Sequence, residues 1–157
     1  MRKALAIFVG IFTFHIANAQ VEWVNQEGPY GGTIRDIEIA PNGNVFILTN
    51  SNSKIFRSND SGISWSQIPR FIPAEDNDNV NALLIDSDGT LYAATYNDFY
   101  VSNNNGNDWI KVNTGTNGAN GGFESAYEIG VSPDGTFFLL GYSDSDPVVY
   151  ISNNQGE

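Results

Sequence analysis

Short apolar runs recur along the chain, separated by segments rich in Gly, Asn, Asp and Ser. Three of these runs follow a turn signal and read VFILTN (45–50), LYAATY (91–96) and FFLLGY (137–142). They are rich in β-branched and aromatic residues with little alternation, which is typical of strands buried on both faces. The turn glycines, Gly43, Gly89 and Gly135, are 46 residues apart. A fixed period of this size indicates a repeat architecture.

Each repeat unit contains further short runs on both sides of this one. The preceding runs are IRDIEI (34–39), VNALLI (80–85) and YEIGVS (127–132), and the following ones are KIFRS (54–58), FYVS (99–102) and VVYIS (148–152). Fourth runs begin at a tryptophan, WSQI (65–68) and WIKV (109–112). Four short strands joined by tight turns form the blade of a β-propeller. We therefore predict an all-β fold, a β-propeller segment of four-stranded antiparallel blades at about 33–68, 80–112 and 127–157.

The count of strands predicts an incomplete ring. The third unit ends before its fourth strand, whereas EWVNQ (22–26) resembles a lone fourth strand with Trp23 in the place of Trp65 and Trp109. Such a strand would close a ring by pairing with its last blade, which removes an exposed edge. Propellers close with four to eight blades, so about three blades lead us to expect further blades in a longer product.

One polar motif is repeated after the third run of each unit. Its copies are SNDSGISW (58–65), SNNNGNDW (102–109) and SNNQGE (152–157). Asp60 in the first copy is Asn in the others, and an amide cannot act as a general acid or nucleophile. An Asx oxygen can still accept backbone N–H groups, and the glycine supplies positive φ, so the motif predicts a turn. The residues concerned are Ser58, Asp60, Gly62, Trp65, Ser102, Asn104, Gly106, Trp109, Ser152, Asn154 and Gly156.

This S-x-D-x-G-x-x-W pattern resembles the Asp-box, or BNR repeat, of sialidase-like and sortilin-type propellers. The first copy matches fully, the second has Asn104 for the acid, and the third stops before its tryptophan. The resemblance implies a hairpin turn away from any catalytic centre. Metal binding or catalysis by the motif is the alternative.

The first nineteen residues have the pattern of an export signal. Arg2 and Lys3 precede the apolar run 4–14, and Ala17-Asn18-Ala19 offers a small-x-small cleavage site. We therefore predict a signal peptide at 1–19 and one domain at 20–157. The protein would be exported to the periplasm, cell surface or medium, and with no cysteine it would carry no lipid anchor through that residue.

Loss of the signal would change the available chemistry. Residues 20–157 contain no Cys, His or Met, and five basic residues stand against 18 acidic ones, a formal charge of −13. Disulfides, histidine triads and the usual Cys/His zinc sites are thereby excluded. The charge also disfavours nucleic acid and anionic membrane surfaces as partners.

The loops opposite the repeated turns are the expected ligand face, because binding loops vary in length. They hold aromatic residues near carboxylates, namely Tyr30, Phe71, Phe123, Glu75, Asp76, Asp78, Glu124, Asp144 and Asp146. Aromatic platforms with polar neighbours suit a glycan or protein ligand. Solvated loops with a few anchoring aromatics are the alternative. AEDNDN (74–79) could attract calcium, although it lacks the spacing of an EF-hand loop, and we expect no cofactor.

We therefore expect a non-catalytic exported propeller that binds a glycan or protein. The alternative is a fragment of a sialidase-like or other propeller glycoside hydrolase that uses carboxylate chemistry. The sialidase resemblance implies three substrate-binding arginines, and only Arg35, Arg57 and Arg70 remain after cleavage. The alternation of IRDIEI predicts that Arg35 and Asp36 face solvent.

Overall fold

The computed structural model describes residues 22, 24–25, 28–29, 32–50, 53–71, 79–96, 98–112, 125–143 and 146–153. In these residues the chain forms eleven β-strands and no helix. The strands are β1 (Ile34–Ile39), β2 (Val45–Thr49), β3 (Ile55–Ser58), β4 (Ser66–Gln67), β5 (Val80–Ile85), β6 (Leu91–Thr95), β7 (Phe99–Ser102), β8 (Ile110–Val112), β9 (Ser125–Val131), β10 (Phe137–Ser143) and β11 (Asp146–Ser152). No helix capable of spanning a membrane occurs in this part of the chain.

The strands form three antiparallel meanders. Sheet 1 has the order β1-β2-β3-β4, sheet 2 has β5-β6-β7-β8, and sheet 3 has β9-β10-β11. The prediction of an all-β fold built from repeated four-stranded units is confirmed for sheets 1 and 2. In sheet 3, β11 has no strand on its outer side among the described residues.

The first turn of every unit has the same geometry. The N–H groups of Gly43, Gly89 and Gly135 donate to the carbonyls of Ala40, Asp86 and Ser132 at 2.8, 3.1 and 2.9 Å. All three glycines have φ of +86°, a region that L side chains rarely adopt. The 46-residue spacing therefore records a backbone requirement repeated in each sheet.

Two apolar interfaces join the three sheets. Between sheets 1 and 2, Phe46 and Leu48 pack with Leu83, Leu91 and Tyr100. Sheet 2 meets sheet 3 through a second cluster around Tyr92, Phe99, Ala126, Ile129 and Phe137. Sheet 2 is thus covered on both faces, and all five residues of its β6 strand are buried, as its continuous apolar run predicts.

The side chains of β1 alternate between the two faces of sheet 1, but Asp36 lies on the face that meets sheet 2. The prediction of a solvent-facing Asp36 is therefore wrong. Asp36 is half-buried and its Oδ2 accepts from the backbone N–H of Leu83 at 3.4 Å, whereas Arg35 is exposed as predicted. Because β5 is the edge of sheet 2, its outward N–H groups need partners from outside that sheet. The other exposed positions of β1 are isoleucines, with Ile37 58% exposed.

The terminal predictions fall mainly outside the described residues. The predicted signal peptide at 1–19 lies wholly outside them, as does Trp23. Residues 22, 24 and 25 of the proposed closing strand are described and do not lie in a strand. Pairing of segment 22–26 with a last blade stays a prediction.

Candidate ligand-binding face

The first copy of the repeated motif is a hydrogen-bonded turn between β3 and β4. Ser58 is buried, and its Oγ donates to Asp60 Oδ1 and accepts from the N–H of Gly62, both at 2.8 Å. Asp60 Oδ1 accepts from the N–H of Ser64 at 2.8 Å, and Oδ2 accepts from the Ser64 hydroxyl at 2.6 Å. Hydrogen bonds from Ser64 and Ser58 lower the pKa of Asp60 to about 2. The carboxylate is held ionised as an acceptor in the turn.

The second copy makes the corresponding bonds with an amide. Ser102 Oγ accepts from the N–H of Gly106 at 2.9 Å and donates to Asn104 Oδ1 at 3.1 Å. Asn104 Oδ1 accepts from the N–H of Asp108 at 2.9 Å. The added amide hydrogens are used as well, since Asn104 Nδ2 donates to Asp108 Oδ2 at 2.8 Å. The position therefore needs an oxygen acceptor, which Asp and Asn both provide.

In the third copy, Ser152 ends β11, and Asn154 and Gly156 lie outside the described residues. The two described copies both place their glycine at positive φ, +90° for Gly62 and +77° for Gly106. The indole of Trp109 donates to the carbonyl of Gly106 at 3.1 Å, which ties the start of β8 to the turn.

The end of the sheets that carries these turns is closed by contacts between neighbouring units. Arg57 of β3 donates through Nη1 to the Asn105 carbonyl at 2.8 Å and to Asn107 Oδ1 at 3.3 Å. Asn44, in the first turn of sheet 1, donates to Asn105 Oδ1 at 3.4 Å. The repeated motif thus connects adjacent sheets, and its polar groups are engaged with one another.

The opposite end of the sheets contains a cavity of about 350 Å³. It is lined by residues 53–55, by residues 67–71 and by Val80. These residues come from the β2–β3 connection, from the segment that follows β4, and from the first position of β5. This volume lies within the range of small-ligand and peptide side-chain pockets.

Two of the few basic residues of this acidic chain line the cavity. Lys54 and Arg70 line it, and they are two of the five basic residues in 20–157. The other three cations are placed elsewhere. Arg57 donates to the second motif, Lys111 forms an ion pair with Asp98 at 2.7 Å, and Arg35 contacts Asn81 at 3.4 Å.

Phe71, in the lining of the cavity, belongs to an aromatic cluster. The ring of Phe71 stacks on Trp109 with centroids 4.3 Å apart and an interplanar angle of 17°. Phe71 also makes a T-shaped contact with Tyr100, with ring centroids 5.1 Å apart. Phe71 therefore anchors the segment after β4 to sheet 2, and one of its two faces is covered by the indole.

Comparison with known proteins gives the architecture. A sequence profile described as a two component regulator propeller matches residues 74–97, which include β5 and β6. A structure of YCF48 bound to D1 peptide matches with a TM-score of 0.52 at 20% identity, over 85% of this chain and 40% of that chain. The chain has a β-propeller fold. Each of its sheets is a blade.

Two further solved structures support this fold. A protein of unknown function from Dyadobacter fermentans matches with a TM-score of 0.52 at 15% identity, over 76% of this chain and 47% of that one. The extracellular domain of BT4673, assigned as a one component system of B. thetaiotaomicron, matches with a TM-score of 0.50 at 14% identity, over 76% and 21%. This chain spans less than half the length of all three. None of the curated proteins matches it.

Most of the predicted ligand-face residues fall outside the described part of the propeller. These are Tyr30, Glu75, Asp76, Asp78, Phe123, Glu124 and Asp144. Asp146 is exposed at the first position of β11, and Phe71 lines the cavity. The segment AEDNDN, considered for calcium, is described only at Asn79. No three Asp, Glu, His or Cys side chains of the described residues cluster as a metal site.

The inner strands contain a carboxyl group with an altered pKa that sequence reasoning missed. Burial, together with the nearby carboxylates of Asp36 and Glu128, raises the pKa of Glu38 to about 7, against the lowering effect of a backbone hydrogen bond from Ile85. Glu38 therefore carries a proton over much of the mildly acidic range. The signal available in the sequence was the pair of acids, Asp36 and Glu38, two positions apart in a predicted strand.

The cavity residues were also missed as a group. Lys54 and Arg70 are separated by 16 positions, and only the pairing of β3 with β4 brings their segments together. The signal available in the sequence was the scarcity of basic residues. In a chain with this many acids, the positions of the few Lys and Arg residues are candidates for a binding site.

Proposed function

We propose that this propeller segment is a non-catalytic binding module that holds an acidic peptide segment of a partner protein in the cavity beside Lys54 and Arg70. The placement of these two cations on one cavity is the observation that carries the proposal. Guanidinium and ammonium groups form charge-assisted hydrogen bonds with carboxylates, and Arg offers a planar fork that engages both oxygens.

The cavity also offers apolar contacts to such a peptide. Ile68, Pro69 and Phe71 line the cavity together with the two cations, so an apolar side chain could bury there while a neighbouring Asp or Glu meets Arg70. Alternating acidic and apolar side chains would match this surface. Apolar burial would provide affinity, and the cations would set the preference for an acidic sequence.

A peptide suits this site better than a glycan. Sugar rings are held by stacking on an open aromatic face, whereas Phe71 is stacked on Trp109 and is also in contact with the ring of Tyr100. The solved structure of YCF48 contains a D1 peptide, so a propeller with this arrangement of blades does accommodate a peptide. We carry over from that structure only the class of ligand.

We further propose that the protein is exported and that its repeated motif is a structural Asp-box. The pattern of residues 1–19 supports export. Support for the structural assignment comes from Asn104, whose amide oxygen makes the same backbone contact as the Asp60 carboxylate and leaves no acid for chemistry.

Calorimetric titration of two matched peptides tests the proposal. One peptide alternates glutamate with leucine and alanine, and the other has glutamine at every glutamate position. The proposal predicts that the acidic peptide binds at least about tenfold more tightly, a difference of about 1.4 kcal/mol. Equal affinity for both peptides would refute the role of the cations. Binding of an uncharged oligosaccharide from a glycan array, with neither peptide bound, would replace peptide recognition with glycan recognition.

A further inference from the structure

The inner strand of every blade contains a β-bulge at the same place. The register of β1 on β2 skips Arg35, that of β5 on β6 skips Asn81, and that of β9 on β10 skips Tyr127. These residues follow one another at intervals of 46 positions, so the bulge belongs to the repeat. Bulges interrupt strand pairing and redirect a side chain, and they are common beside functional sites. We call Arg35, Asn81 and Tyr127 the bulge row.

The bulge row lies at the end of the sheets that holds the cavity. Each bulged residue is among the first three of its inner strand, and Val80, which directly precedes Asn81, lines the cavity. The inner strands contact one another in the order β1, β5, β9, so the row crosses all three blades. Stacked sheets are about 10 Å apart, and the row therefore extends over at most about 20 Å.

The first blade contributes a cation to this row. Arg35 is exposed, and its Nη1 donates to Asn81 Oδ1 at 3.4 Å. This acceptor is a neutral amide, and no carboxylate of the described residues forms an ion pair with Arg35. The guanidinium is thus oriented by its neighbour in the row without being neutralised. Its planar fork matches the two oxygens of a ligand carboxylate.

The third blade contributes an aromatic pair. Tyr127 meets Tyr142 in a T-shaped contact, with ring centroids 5.3 Å apart at an interplanar angle of 82°. The two residues are 39 and 38% exposed. Tyrosine rings offer a large contact area at low cost in conformational entropy. Glu128, next to Tyr127, is also exposed, and its carboxylate repels a second acid. This end of the row therefore suits an apolar side chain.

We propose that the bulge row is a second contact for the acidic peptide of the cavity, in which Arg35 binds a carboxylate of the peptide and the pair of Tyr127 and Tyr142 receives an apolar side chain. This inference rests on the proposed function. Because Val80 and Asn81 are adjacent in β5, a peptide in the cavity reaches the row by continuing towards the inner strands. An extended chain advances about 3.3 Å per residue, so about six further residues cover the row.

Titration calorimetry with peptides of two lengths tests this inference. A short acidic peptide of about five residues fills the cavity alone, and two longer peptides add about seven residues at one end or at the other. Each extension places a glutamate nearest the cavity and then leucine and alanine. One of the longer peptides should bind at least about fivefold more tightly than the short one. Arg35→Gln should remove this gain and leave the affinity of the short peptide unchanged. Lys111→Gln is the matched control, because Lys111 pairs with Asp98 at the outer strand of sheet 2.

Tyr127→Ala gives a second readout, and the short peptide reports whether this variant is folded. The variant should bind the short peptide as wild type does and lose most of the gain of the longer one. Longer peptides that bind no more tightly than the short one would overturn the second contact and leave recognition at the cavity standing. A gain that persists in both Arg35→Gln and Tyr127→Ala would also overturn it. A short peptide that fails to bind the wild-type protein would refute the proposed function, and the second contact with it.

Discussion

Arg57 on the third strand of sheet 1 donates to the backbone carbonyl of Asn105 in the turn of sheet 2, at 2.8 Å. The two residues are 48 positions apart and lie in neighbouring blades. This bond therefore stabilises the contact between two blades rather than a single hairpin. A charged donor to a partly buried carbonyl is among the stronger hydrogen bonds of a protein.

Replacement of Arg57 should loosen the contact between the first two blades. Arg57→Met keeps the apolar stem and removes the donor, and we expect a loss of about 1–3 kcal/mol in the free energy of unfolding. Urea denaturation measures it. Arg35→Met is the control, since Arg35 is exposed and its contact with Asn81 is 3.4 Å long. Equal effects of the two substitutions would show that Arg57 does not act between the blades.

The turn of the first repeated motif should depend on its glycine more than on its acid. Gly62→Val forces a β-branched residue to φ of +90°, and Trp65→Ala removes the ring that a Cβ at position 62 would meet at 3.7 Å. Asp60→Asn keeps the oxygen that Asn104 supplies in the second copy. Thermal denaturation should rank Asp60→Asn as the mildest of the three. If it proves the most damaging, the carboxylate has a role that the turn does not explain.

Glu38 should make stability depend on pH. Its pKa is about 7 in the folded protein against an ordinary 4.5, so the folded state binds more protons and stability falls as pH rises through that range. Glu38→Gln removes this dependence. We expect the variant to be more stable than wild type by about 1–2 kcal/mol at pH 8, with partial solvent screening included, and equally stable at pH 4. Urea midpoints at both pH values measure the difference, and a less stable variant at pH 8 would contradict the shift.

The repeat could be predicted from the sequence because it rests on local requirements. Gly43, Gly89 and Gly135 each need a positive φ, and the apolar run after each turn fills a strand between two neighbours. The exchange of Asp60 for Asn104 likewise identified an acceptor, since both oxygens meet the backbone four positions on. Each of these features lies within one hairpin, where residues that are close in sequence are also close in space.

The contacts between blades could not be predicted in the same way. The alternation of β1 was visible, yet it could not tell which face would meet sheet 2, and Asp36 lies on that face. The raised pKa of Glu38 comes mainly from burial, with a smaller contribution from Glu128, which is 90 positions away. The cavity combines segments whose proximity depends on the pairing of β3 with β4 and on the packing of Phe71 against Trp109.

The affinity of the acidic peptide for charge variants of the cavity tests the proposed function most directly. The double variant Lys54→Gln, Arg70→Gln removes both cations from the lining, and Lys111→Gln removes one that is paired with Asp98 outside it. We predict that the double variant binds the alternating glutamate peptide at least about 30-fold more weakly, about 2 kcal/mol, while Lys111→Gln binds as wild type does. Unchanged affinity of the double variant, or an equal loss in Lys111→Gln, would contradict recognition at this cavity.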